Sequence, residues 1–156
     1  MIGVDFSPAM LELARAREPQ IEFRLGDVTH LTDADASVDA VTIAFGLRNV
    51  VDREVALREM FRVLRPGGRL VVLEFSPPPH GPLMWGYRLY LTKFMPAVAR
   101  LISRDEGHAY QYLAATVEGF PEPAELTALL ERLGFVVSVE RLTLGIVAIH
   151  TATRGA

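Results

Sequence analysis

Apolar residues in this chain recur with two spacings, and the spacing changes at short polar or Gly/Pro punctuation. Met1-Ile2-Gly3-Val4-Asp5 reads as the end of a buried strand. Ser7 is a good N-cap and Pro8 suits a first helical position, which predicts a helix from Pro8 to about Glu18 with Met10, Leu11, Leu13 and Ala14 on its buried side. Pro19 ends it. Ile21-Glu22-Phe23-Arg24-Leu25 alternates, the pattern of a half-buried strand, and Gly26-Asp27 follows as a turn. The β-branched run Val38 to Phe45 predicts a central strand, and Gly46 to Val50 a loop. Asp52 is placed to cap a helix running through Leu64, with Leu57, Met60, Phe61 and Leu64 at core spacing. Pro66-Gly67-Gly68 stops that helix, and Arg69 to Phe75 is the next strand.

The remaining segments extend this plan. Ser76 to Pro82 is a Pro-rich loop. Leu83 to Ser103 is apolar and aromatic, but Arg88, Lys93 and Arg100 recur within it, so it predicts one or two amphipathic helices and not a membrane span. Its apolar surface suits core packing, a channel for an apolar tail or contact with a membrane surface. His108 to Glu118 is expected to be helical. Pro123 to Leu133 predicts a helix closed by Gly134. Phe135 to Leu142 and Ile146 to Thr153 are strands joined so closely, through Thr143-Leu144-Gly145, that they must be antiparallel. Strands and helices in this order imply an α/β fold with a mostly parallel sheet, a C-terminal antiparallel hairpin and one domain over residues 1–156.

Composition narrows the function classes. Half of the 156 residues are hydrophobic, enough for a sizeable core. The net charge of −3, without a basic run, gives no reason to expect nucleic acid. With no cysteine there is no disulfide framework, thiolate metal site or Cys nucleophile. His80, His108 and His150 lack metal-ligand spacing, so no metal is expected. No G-x-S-x-G elbow and no Walker loop occurs. Pro66-Gly67-Gly68 lies between helix and strand, where a structural turn is the better reading than a phosphate loop.

In an open parallel sheet, ligands bind beyond the carboxyl ends of the strands. Three candidates sit there. Asp5 ends a strand before a helix, where a carboxylate suits two ribose hydroxyls; the plain alternative is a turn residue capping the helix. Asp27 and Val28 follow the second strand, where a carboxylate and a backbone N–H suit adenine; Gly-Asp is also a common turn. Ala44-Phe45-Gly46-Leu47-Arg48-Asn49 combines a Gly, a cation and an amide after a central strand. Arg48 is suited to an anion or phenolate, and equally to a surface turn.

Taken in order, these pieces resemble a class I S-adenosylmethionine-dependent methyltransferase with a Rossmann-like fold. Thr42 to Pro78, Asp105 to Phe135 and Leu142 to His150 resemble the C-methyltransferases of ubiquinone and menaquinone biosynthesis. The string Phe45-Gly46-Leu47-Arg48-Asn49-Val50 is the most specific part. The resemblance implies S-adenosyl-L-methionine as cofactor, with Asp5 on the ribose, Asp27 and Val28 on the adenine, and Ala44 beside the methionine part. It implies that Arg48 and Asn49 face a prenylated quinol as catalytic residues and that Tyr110 and Tyr112 cover the substrate. The expected reaction is C-methylation of a demethylated quinol in the cytoplasm; peripheral membrane contact and a homo-oligomer both stay open. Richness in Ala, Leu and Arg points to a GC-rich bacterial source and favours menaquinone over ubiquinone. The competing readings are a binding module derived from this family and a methyltransferase acting on another lipid. The family's first strand, G-x-G-T-G loop and helix have no match in these residues, so the strands ending at Asp5 and Ala44 are expected to show open edges.

Overall fold

The computed structural model describes residues 1–76 and 119–155 together with Gly86, Thr116 and Val117. The predicted helices at Leu83 to Ser103 and His108 to Glu118 fall almost wholly outside the described residues, as do Tyr110 and Tyr112.

Among the described residues, six strands and three α-helices follow in chain order as β1 (Ile2–Asp5), α1 (Pro8–Arg17), β2 (Glu22–Leu25), β3 (Val38–Ala44), α2 (Arg53–Val63), β4 (Leu64–Phe75), α3 (Pro123–Arg132), β5 (Phe135–Leu142) and β6 (Val147–Arg154). β1 and β2 form a parallel pair. β3, β4, β6 and β5 form a second sheet in that order, parallel between β3 and β4 and antiparallel through the terminal hairpin. Among the described residues β1 pairs with nothing but β2, and β3 with nothing but β4, so one edge of each is open as expected.

The helices start where the sequence places their caps. Ser7 accepts a hydrogen bond from Met10 N, and Asp52 one from Val55 N at 3.1 Å. Gly134, at φ +98°, turns the chain from α3 into β5, a conformation a side chain rarely adopts. The core lies between β4, β6, α2 and α3. Leu57, Met60, Leu64, Leu70, Val72, Leu126, Leu130, Phe135 and Ala152 are buried there, with Leu47 inserted from the turn after β3.

Three expectations are corrected. On α1 only Leu11 is buried; Met10 and Leu13 are more than half exposed, because among the described residues nothing packs on that side of the helix. β3 stops at Ala44, and Phe45 leaves the strand in the left-handed region at φ +53°. Pro66-Gly67-Gly68 does not separate α2 from its strand. β4 begins at Leu64 and bulges against β3, with one β3 residue, Asp39, facing four of β4, Arg65 to Gly68, between the pairs Val38–Leu64 and Ala40–Arg69. A Cβ on Gly68 would stand 2.8 Å from the carbonyl oxygen of Arg65, so this glycine is a packing requirement and the segment is structural, as read.

Candidate functional site

Each candidate stands at the carboxyl end of its strand. Asp5 is the last residue of β1, and its Oδ1 accepts the N–H of Ser7 at 2.8 Å. That bond aligns the carboxylate over the start of α1 and uses one oxygen. The arrangement serves helix entry and leaves Oδ2 without a partner among the described residues, available to a hydroxyl pair. Both readings of Asp5 are therefore compatible in one geometry.

Asp27 follows β2 and is exposed. Its Oδ1 accepts from Thr29 N at 2.8 Å, and the residue bridges to His30 across a tight turn. The Thr29 backbone N–H first, then the Thr29 hydroxyl and the nearby His30, hold its carboxyl below the ordinary value of 3.8. It is thus a fixed anion near neutrality, suited to accept from an exocyclic amine. Val28 beside it is half-buried and packs against the core.

The turn after β3 is the most constrained of the three. Phe45 N donates to Leu73 O at 2.9 Å, which carries the β3–β4 ladder one residue past the strand. Leu47 is fully buried and plugs the turn into the core. Ala44 and Asn49 are exposed. Arg48 is largely buried along its side chain, and its Nη1 donates to Glu74 Oε1 at 2.8 Å. The same nitrogen donates to Phe45 O at 2.5 Å. Its guanidinium lies 5.3 Å from the centre of the Phe75 ring, and the Phe45 and Phe75 rings are 4.8 Å apart. Arg48 Nε is buried and has no partner among the described residues. The cation expected to face an anion is therefore already paired with Glu74 and packed on the Phe75 ring.

Glu74 did not stand out as a functional residue in the sequence. The signal was available: it occupies the inward face of an otherwise apolar strand, two residues from Val72, where an acid is rare unless paired. Arg53 extends the arrangement. Its Nη2 donates to Arg48 O at 3.3 Å and its guanidinium lies 5.4 Å from the Phe120 ring centre. The described residues hold no group of metal-ligating side chains and no helix long and apolar enough to cross a membrane.

The first two positions carry acceptors of the kind a nucleoside's donors require. A carboxylate with one unengaged oxygen at β1 and an ionised carboxylate at β2 match the hydroxyl and amine donors of adenosine.

Comparison with known proteins bears on the family and the fold. A family model described as the ubiE/COQ5 methyltransferase family matches residues 1–154. The demethylmenaquinone methyltransferase of Thermus thermophilus is 48% identical over 99% of this chain and 71% of its own length. That of Mycolicibacterium vanbaalenii is 48% identical over 98% of this chain and 66% of its own. The chain thus spans about two thirds of the length of these curated relatives. Among solved structures, a SAM-dependent methyltransferase from Methanosarcina mazei superposes with a TM-score of 0.66 at 22% identity, covering 99% of this chain and 81% of the other. One from Aquifex aeolicus gives 0.65 at 14%, covering 97% and 67%. These last two speak to the fold alone, which is that of the class I S-adenosylmethionine-dependent methyltransferases.

Proposed function

Because the chain belongs to the ubiE/COQ5 methyltransferase family, whose cofactor is S-adenosyl-L-methionine, we propose that it C-methylates a demethylated prenyl quinol, demethylmenaquinol in the first place. The observation that carries this reading is the Arg48 guanidinium held over the Phe75 ring, which packs against the Phe45 ring, at the carboxyl ends of β3 and β4. A flat aromatic ring bearing a hydroxyl matches that surface: rings for its face, an N–H for its oxygen. The curated relatives, named for demethylmenaquinone, favour it over the ubiquinone precursor.

Asp5 would hold the ribose hydroxyls, Asp27 and Val28 the adenine, and Ala44 would border the methionine part. The bound cofactor supplies an electrophilic sulfonium methyl. The quinol would lose its hydroxyl proton to solvent, and the electron pair at the neighbouring ring carbon would form the new bond to that methyl as the methyl–sulfur bond breaks and its electron pair stays on the departing neutral thioether. The ring then loses the hydrogen at that carbon as a proton and regains aromaticity. The chain's part is alignment and charge. Arg48 donates to the oxygen as it becomes a quinolate, directly or through water, with Asn49 beside it. Tyr110 and Tyr112 are proposed to cover the substrate. The site is placed in the cytoplasm with peripheral access to the membrane, where a prenyl quinol resides.

The test is methyl transfer from labelled S-adenosylmethionine to demethylmenaquinol, set against a demethylated ubiquinone precursor, a sterol and a phospholipid. Arg48→Ala should lower turnover about 10²- to 10³-fold, as loss of an oxyanion donor does, with cofactor affinity unchanged in a calorimetric titration. Wild-type turnover in that variant removes Arg48 from the mechanism. Cofactor binding without transfer to any lipid would identify a binding module instead.

A further inference from the structure

The inward face of β4 carries Leu70, Val72 and Glu74, continued just past the strand by Ser76, all buried, and Glu74 is 2% exposed. A carboxylate there needs full compensation. It finds it mainly in one residue. Oε1 accepts from Arg48 Nη1 at 2.8 Å and from Phe75 N at 2.9 Å, while Oε2 accepts from Arg48 N at 3.2 Å. One carboxylate therefore grips Arg48 both by its backbone and by its guanidinium. The guanidinium, through the same Nη1, closes the turn onto Phe45 O, and Phe45 is the left-handed residue at which the chain leaves β3.

We propose that Glu74 is the positioning residue for Arg48. It sets where the guanidinium stands and holds the Phe45–Arg48 turn shut against the carboxyl end of β4. It does so from beneath, without touching the substrate. Its pairing occupies Nη1, while Nε is buried with no partner among the described residues. The proposal rests on the quinol reading of Arg48 given above.

A residue that acts through Arg48 differs measurably from one that only stabilises the fold. Glu74→Gln keeps the shape but removes the charge and puts an N–H₂ where an acceptor is required. Turnover should fall on the order of 10²-fold, the effect of a small misplacement of a reacting group, with KM for S-adenosylmethionine unchanged. In an Arg48→Ala background the same substitution should cost nothing further. Equal losses in both backgrounds, or wild-type turnover in the single variant, would overturn the proposal. A second readout needs neither activity nor a variant that folds. In the wild-type protein, nitrogen NMR of the arginine side chains should show Arg48 Nη1–H as a separate, slowly exchanging signal. A freely rotating Arg48 guanidinium would overturn the proposal too. Absence of methyl transfer by the wild type would sink the quinol reading while leaving the NMR test of Glu74 intact.

Discussion

Single residues carry more of the site than their types announce. Phe45, Ala36, Thr143 and Leu144 all have positive φ without being glycine, and no sequence signal marks them, because αL costs a side chain energy that only tertiary contacts repay. Phe45 is held there by its ring, tilted against that of Phe75, and by hydrogen bonds at its own N–H and carbonyl. Ala36 has much less. It is exposed, at φ +50°, secured by its N–H to Arg62 O at 2.9 Å. Ala36→Gly relieves about 1–2 kcal/mol of backbone strain. The looser unfolded chain takes back about 0.4–1 kcal/mol. A net gain of roughly 0.5–1 kcal/mol is expected, read as a higher urea midpoint at unchanged slope. An unchanged or lower midpoint would show that Ala36 is not strained. The same limit explains Arg48: its type and its place after β3 are plain in the sequence, whereas its partner Glu74 is 26 residues away and needs the β3–β4 register to be seen.

Elements were more legible than residues. Ser7, Pro8, Asp52, Pro123 and Gly134 bracket the three helices because caps act locally. The Leu64–Gly68 bulge escaped because two glycines after a helix look the same whether they end an element or bend one. Between elements, the buried His150 ties β6 to α3: its Nε2 stands 3.1 Å from Pro123 O, so the neutral ring with its proton on Nε2 donates there. Burial pushes its pKa below the ordinary 6.5, with the Pro123 carbonyl opposing and Arg141 adding to the fall. The unfolded chain then binds more protons than the folded one below that value. Stability is complete above about pH 6.5 and falls as pH drops from there toward the folded pKa. His150→Gln can still donate to Pro123 O but cannot titrate. The loss of stability between pH ~7.5 and ~5.5 should therefore flatten in His150→Gln. An identical pH slope in both proteins would place the titration elsewhere.

At the scale of the molecule, the order of strands could be read from the sequence, but which edges stay open could be told only by reference to the family pattern. The observed edges differ in how they are protected. β2 carries Glu22 and Arg24, and β5 carries Glu140 and Arg141, charges that discourage strand addition. The open side of β1 has none before Asp5. Ile2 and Val4 are each 41% exposed, Phe6 is 79% exposed, and Met10 and Leu13 on α1 continue the apolar surface. A strand edge whose N–H and C=O groups have no partner among the described residues, beside such a surface, is a template for pairing with a second chain. We therefore expect self-association through β1 that rises with concentration in sedimentation velocity. Ile2→Lys should suppress it by placing a charge that a partner strand would have to bury. Leu144→Lys, at an equally apolar and more exposed position between β5 and β6, should leave it unchanged. Suppression by both variants would point to general apolar stickiness, and suppression by neither would place the contact away from β1. Arg48 and Glu74 are not altered by either substitution, so methyl transfer measured at low concentration should be the same in all three proteins.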